Sequence, residues 1–182
     1  MADDVSRMLL EMVKEALMVI ELMIGRGYRP DTVTFNALID GLCMQGLMDK
    51  ALYIFDVMVA NGYEPDIVTY NALFNGLCKQ RKVDYAMRLF RKMFIKGLSR
   101  NTHIYTIIID GLCKAERFKH AQSIFDGIQS SGQVPDVVTY IALLDGLRKR
   151  WHLVEAIELL QRMQDSGIIP TCRLQHSSRW FL

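Results

Sequence analysis

The sequence predicts an all-α protein, a solenoid of stacked helix-turn-helix hairpins. Three observations carry that prediction. First, short phrases recur every 35 residues with no insertion: Val33-Thr34-Phe35-Asn36, Val68-Thr69-Tyr70-Asn71, His103-Ile104-Tyr105-Thr106 and Val138-Thr139-Tyr140-Ile141. Gly41-Leu42-Cys43, Gly76-Leu77-Cys78 and Gly111-Leu112-Cys113 keep the same step, as do Pro30-Asp31, Pro65-Asp66 and, two periods later, Pro135-Asp136. Second, each period holds two apolar stripes at three-four spacing, the signature of two amphipathic helices. Third, no alternating strand pattern competes with them.

Residues 1–31 read as a truncated first repeat or capping helix. Aligned by the period, Met1 falls where Asn36 falls in the next repeat. Leu9, Met12, Val13, Ala16, Leu17, Ile20 and Ile24 form one apolar face, and Gly25-Arg26-Gly27 ends the helix. Four repeats follow, at 32–66, 67–101, 102–136 and a divergent 137–171. Their helices are predicted at 33–44 and 49–60, 68–79 and 83–96, 103–114 and 118–130, and 138–149 and 153–165.

In 67–101, Tyr70, Leu73, Phe74 and Leu77 make the first stripe, and Ala86, Leu89, Phe90 and Met93 the second. Asp66 stands where an N-cap belongs, behind a Pro that stops the preceding segment. Gln80-Arg81-Lys82 is the turn within the hairpin. Glycines at 62, 97, 132 and 167 repeat a helix stop, and Ala51, Ala86, Ala121 and Ala156 repeat a slot for close helix approach. Arg148 takes the slot of the three cysteines. A buried arginine is costly, so the helix is expected to fray or rotate there. Residues 172–182 do not restart a repeat.

Composition narrows the function. Hydrophobic residues make up 51% and charged residues 23% of the 182, as in a folded domain. No apolar run reaches the roughly 18 residues of a membrane span. The net charge of +2 is too mild to argue for nucleic acid. Cysteines spaced one per repeat make neither a zinc pair nor a disulfide framework and read as small buried residues of a reducing compartment. No phosphate loop, H-E-x-x-H or zinc-deaminase signature occurs, so neither catalysis nor a metal or cofactor is expected. The opening Met1-Ala2-Asp3-Asp4-Val5 carries acids where an import peptide carries basic residues. Either the chain is not imported or its import segment is absent here.

The phrases VTYNALFNGLCKQRKVDYAMRLF and DVVTYIALLDGLRKR, at a 35-residue period, resemble the pentatricopeptide repeat family of plant organelles, over about residues 2–171. The Gly-Leu-Cys triplets look like its long uniform, fertility-restorer-like arrays. The resemblance implies a right-handed superhelix that binds single-stranded RNA at one base per repeat. Two residues of each repeat would select the base: Asn36 with Asp66, Asn71 with Asn101, and Thr106 with Asp136. In family terms these favour uracil, cytosine and guanine, giving 5′-U-C-G-3′. Val33, Val68, His103 and Val138 would pack on the base faces. The fourth pair, Ile141 and Thr171, has no assignable base.

Lys79, Arg81, Lys82, Lys114, Arg117 and Lys149 cluster at the ends of first helices and are candidates for phosphate contact. Each site residue also has a plainer reading: Asn36 and Asn71 as polar residues near a helix start, Asp66 and Asp136 as N-caps, the basic residues as solvated helix ends.

The resemblance implies an RNA-binding adaptor of mitochondria, or alternatively of chloroplasts. It would act in processing, stability or translation, with other RNA-processing proteins or a second copy as further partners and no membrane. A protein-binding α-solenoid scaffold is the alternative. Three bases recur about once in 64 nucleotides at one base per repeat. The chain is therefore expected to dimerise, to serve inside a larger ribonucleoprotein or to be part of a longer array.

Overall fold

The computed structural model describes residues 14, 18, 20–23, 25–28, 30–98, 101–148 and 152–168. Among them every regular element is a helix. Residues 20–23 are helical, and Ile20 is buried. Eight helices follow: α1 (Thr32–Met44), α2 (Met48–Ala60), α3 (Ile67–Lys79), α4 (Val83–Ile95), α5 (Thr102–Lys114), α6 (Phe118–Ser130), α7 (Val137–Arg148) and α8 (Leu153–Asp165). Each falls within about a residue of its predicted span. The chain forms two compact units, 1–80 and 81–182.

In the first unit, α1 packs on both α2 and α3. The predicted stripe of α3 is fully buried (Tyr70, Leu73, Phe74 and Leu77), against Phe35, Ile39 and Leu42 of α1 and Met48, Ala51 and Ile54 of α2. Burial of such side chains contributes about 1.5–3 kcal/mol each and outweighs the modest helix propensity of the β-branched and aromatic residues. In the second unit, α5 packs on α6 and α7, and α7 on α8. Ala86, Leu89, Phe90 and Met93 face inward on α4, as the spacing predicts.

An aromatic ladder marks each hairpin step. Phe55 meets Tyr70, Phe90 meets Tyr105 and Phe125 meets Tyr140 edge to face, with ring centroids 5.9, 5.6 and 5.0 Å apart. Such pairs add about 0.5–1.5 kcal/mol beyond their area.

The Gly-Leu-Cys triplets explain how first helices stack. A Cβ on Gly76 would stand 2.9 Å from Cys43 Cβ, and one on Gly146 would stand 2.6 Å from Cys113 Sγ. Within each unit, then, a cysteine of one repeat seats on a glycine of the next, Cys43 on Gly76 and Cys113 on Gly146. Cys43 is buried, and its thiol is pushed up to about 12 by burial, with Asp40 adding to the effect. Cys78 is buried and Cys113 half-buried. Arg148 is not buried: it is the last described residue of α7, exposed and paired with Asp145 at 2.8 Å, so it incurs no burial cost, and any fraying beyond it falls outside the described residues. Lys149, Arg150, Thr171 and the segment 172–182 lie outside the described residues, as do most of residues 1–31.

The turns show a second pattern. Gly46 ends the first helix of its hairpin with φ +76°, and its N–H bonds to Cys43 O while Leu47 N–H bonds to Leu42 O. This is a Schellman stop, which favours glycine because only glycine adopts the left-handed backbone without strain. One and two periods on stand Arg81 at φ +57° and Glu116 at φ +62°. Glu116 keeps the same pair of hydrogen bonds, to Cys113 O and through Arg117 to Leu112 O.

Candidate nucleic-acid interface

The candidate base-contacting residues sit where one helix starts beside another. Asp66 caps α3: its Oδ1 accepts from Thr69 N–H at 2.9 Å, and Thr69 Oγ1 in turn accepts from Asp66 N–H at 3.0 Å. This reciprocal box satisfies two donors that a helix start leaves unpaired. Asp31 and Asn101 cap α1 and α5, and Asp136 Oδ1 accepts from Thr139 N–H at 2.8 Å at the start of α7. The N-cap role of Asp66 and Asp136 is thus real, and it does not exclude a second role.

At Asp66 the second contact is already made. Asn36 Nδ2 donates to Asp66 Oδ1 at 3.0 Å, joining the two residues that the resemblance pairs, 30 positions apart in sequence. Asn36 is only 7% exposed, and its Oδ1 accepts from Thr69 Oγ1 at 2.5 Å. Burial pushes the Asp66 carboxyl up, but hydrogen bonds from Thr69 N–H, Asn36, the Thr69 hydroxyl and Val68 N–H together outweigh it, and the net shift is downward. The carboxylate stays ionised at neutral pH.

The second unit holds a related network. Thr106 Oγ1 lies 2.7 Å from Thr139 Oγ1 and 2.9 Å from Thr102 O, while Thr139 Oγ1 donates to Asp136 Oδ1 at 2.7 Å. Thr106 reaches Asp136 through Thr139 rather than directly. Asn71 differs: its Oδ1 is buried without a hydrogen-bond partner among the described residues. Asn101 spends its Oδ1 on Ile104 N–H at 3.0 Å.

Beside these polar residues, the stacking candidates are open. Val33, Val68 and Val138 are 71%, 56% and 58% exposed, and His103 is exposed too. Each occupies the second residue of a first helix, one turn from the reader on the same helix. An exposed valine is unremarkable alone. In the first unit Val33 and Val68 share one register, each one turn from an asparagine amide, and set an exposed apolar side chain next to a hydrogen-bonding group.

The basic candidates divide. Lys79, Arg81 and Lys82 are exposed at the end of α3 and the following turn. Lys114 pairs with Asp110 at 2.5 Å, and Arg117 holds Asp84 through two bonds, that from Nη2 to Oδ2 measuring 2.8 Å. Arg117 keeps the Asp84 carboxyl below its usual range. Exposed pairs of this kind contribute little stability, so phosphate can compete for either cation. The Asp84 pairing of Arg117 was not disclosed by its sequence position.

Sequence reading missed Thr69 and Thr139 as members of the site. Both are fully buried polar residues. Their signal was present in the recurring Val-Thr-aromatic phrase, where threonine falls on the inward face at a position that packing alone would fill with an aliphatic residue. Among the described residues no group of three or more His, Cys, Asp and Glu could hold a metal ion. No described helix is long and apolar enough to cross a membrane.

Similarity to known proteins follows this architecture. The chain matches the model of the PPR repeat family at residues 30–79, 65–114 and 100–149, and that of the PPR repeat at 138–168. No curated protein matches it. Among solved structures, pentatricopeptide repeat protein PPR10 from maize is similar with a TM-score of 0.77 and 28% identity, over 85% of this chain and 22% of that one. PPR10 in complex with an 18-nt psaJ RNA element gives a TM-score of 0.72 at the same identity, over 85% and 23%. The PPR domain of Arabidopsis thaliana protein-only RNase P 1, in complex with tRNA, is 18% identical over 92% and 89%, with a TM-score of 0.72, and shares the fold. The chain thus spans about a fifth of the length of PPR10. Repeat period, all-α hairpins and family match agree: the chain is a member of the pentatricopeptide repeat family, with its α-solenoid fold.

Proposed function

We propose that this chain is a sequence-selective, single-stranded RNA-binding adaptor that contacts one base per repeat, with the core 5′-U-C-G-3′. The observation that carries the reading is the hydrogen bond between Asn36 and Asp66. Two residues far apart in sequence share one polar site, next to the exposed Val33 and Val68. An amide and a carboxylate held together can address the Watson–Crick edge of a base while an aliphatic ledge packs on its face. RNA in the complexes of similar fold supports the same reading.

The adaptor acts by occupancy, blocking a nuclease, exposing a ribosome site or positioning an enzyme, in the transcript metabolism of an organelle, with mitochondria the first choice. Base stacking is worth roughly 1–3 kcal/mol each. Three bases therefore supply about 3–9 kcal/mol, against an association cost of at least about 4 kcal/mol. At most about 5 kcal/mol remains, so this chain alone binds no tighter than about 0.2 mM, and selection of one transcript needs further repeats or partners.

Fluorescence anisotropy with short oligonucleotides at several salt concentrations tests the proposal. UCG-containing RNA should bind better than an A-rich control. The affinity should fall with salt at a log–log slope near about −2, as for three phosphate contacts at about −0.7 each. Equal affinity for both oligonucleotides refutes base selection. No binding to either, with capture of peptide instead, favours the scaffold.

A further inference from the structure

We propose that the buried threonines Thr69 and Thr139 are specificity-determining residues, each fixing whether the base-contacting residue one repeat earlier presents a hydrogen-bond donor or an acceptor. The inference rests on the reading of Asn36 and Thr106 as base contacts.

The argument is a count of protons. The Thr69 hydroxyl has one to give, and two acceptors are near: Asn36 Oδ1 at 2.5 Å and Asp66 Oδ1 at 3.0 Å. Asp66 Oδ1 already receives Thr69 N–H and Asn36 Nδ2. The proton therefore goes to Asn36 Oδ1, the nearer and less satisfied oxygen. That fixes the amide. A flipped Asn36 would aim its carbonyl at the Asp66 carboxylate and its NH₂ at a hydroxyl already accepting from Asp66 N–H. With the carbonyl turned inward and one amide hydrogen on Asp66, the remaining Nδ2–H has no partner among the described residues. Asn36 thus offers a donor, which suits a carbonyl edge such as that of uracil.

The second unit reaches the opposite polarity with the same residue type in the same slot. Thr139 gives its proton to the Asp136 carboxylate at 2.7 Å. The carboxylate has none to return. Two hydroxyl oxygens 2.7 Å apart need a proton between them, and with that of Thr139 spent on Asp136 it must come from Thr106, in preference to Thr102 O at 2.9 Å. The single proton of Thr106 is thus held by Thr139, and its oxygen is left with a lone pair. Thr106 thus offers an acceptor, which suits the N–H groups on the edge of guanine. Neither threonine touches the base in this arrangement; each acts through its neighbour.

The test measures base preference, not affinity alone. Anisotropy is read with UCG oligonucleotides and with variants changed at the first or third nucleotide, for the wild type and for Thr69→Val, Thr69→Ser and Thr139→Val. Thr69→Val should lower the first-position preference for U at least fivefold and leave the third-position preference for G intact. Thr69→Ser should restore it, and Thr139→Val should show the mirror result.

A Thr69→Val chain that binds every oligonucleotide more weakly by one common factor overturns the proposal, because a merely structural threonine behaves so. A wild type without preference at either position refutes the base-contact reading itself. Should the valine variants fail to fold, side-chain amide exchange in the wild type decides. One Asn36 N–H should exchange slowly and its twin fast, and equal rates overturn the proposal.

Discussion

Replacing Gly76 and Gly41, in turn, by alanine should move stability in opposite directions, although both occupy the same register of the repeat. Alanine within a helix gains about 1 kcal/mol over glycine. At Gly41 nothing lies within 4 Å of the added Cβ, so that gain stands alone. At Gly76 the Cβ would lie 2.8 Å from Met48 Sδ and 2.9 Å from both Cβ and Sγ of Cys43. Ordinary carbon contacts begin near about 3.5 Å. The Met48 sulfur can swing away, but Cys43 Cβ is fixed to its backbone, and α3 must retreat from α1 by roughly half an ångström or more. Overpacking of this kind costs about 1–3 kcal/mol, so Gly76→Ala nets a loss of up to about 2 kcal/mol. The two variants then differ by about 1–3 kcal/mol. At about 2–4 °C per kcal/mol for a chain of this size, their melting temperatures should stand about 5 °C apart, on either side of the wild type. Circular dichroism melts measure this directly. Cys43→Ala in the Gly76→Ala background should recover only part of the loss, since it removes Sγ and keeps Cβ. If Gly76→Ala melts higher than the wild type, alongside Gly41→Ala, the seating of cysteine on glycine does not set the helix spacing.

Arg81, Asp66 and Cys43 carry the other expected outcomes. Arg81→Gly should raise stability by about 1 kcal/mol, because a left-handed non-glycine residue costs about 1–2 kcal/mol and glycine in the unfolded chain returns part of it. The same change should flatten the salt slope of RNA binding by about 0.7, so melts and salt titrations move oppositely. Asp66→Asn should turn the first-position preference from U towards C, as the family pairing implies, read by anisotropy with first-position variants. The Asp66 carboxyl titrates below its ordinary 3.8. Its contribution to stability is therefore present above that pH and lost as pH falls through the depressed value, so acid melts of Asp66→Asn should fall less steeply below about pH 4 than those of the wild type. Cys43, with its thiol pushed up to about 12 and buried, should resist alkylation at pH 8 while the half-buried Cys113 reacts before it, which mass spectrometry of partly alkylated protein resolves.

The fold was legible because its signals are local and repeated. The stripe Tyr70, Leu73, Phe74 and Leu77 names an inward face whatever it packs on, and the glycine stops at 62 and 97 fix where helices end. The site was legible only as far as the family register reached. That register picked out Asn36 and Asp66, but periodicity says nothing of which proton goes where, so Thr69 looked like one more small residue of a helix start. The burial expected of Arg148 failed for a related reason. Cys43 is covered at Gly76, and burial that depends on a neighbouring repeat cannot be read from the slot itself. The ion pairs of Arg117 with Asp84 and Arg162 with Asp126 join residues 33 and 36 positions apart, beyond any within-helix pairing rule.

The cysteine and the glycine that seat on each other lie almost a full period apart, yet the first three full repeats each carry one of each, only two residues from one another. A repeat of that kind holds a plug for the repeat after it and a socket for the repeat before it. A duplication of one whole period, cut at any point in the cycle, delivers a new plug and a new socket together and leaves the old pair correctly matched to the newcomers. A point change at either half breaks a match that no other residue can restore. Such an array changes its length more easily than it changes its joints, and its number of reading units can be revised by copying alone.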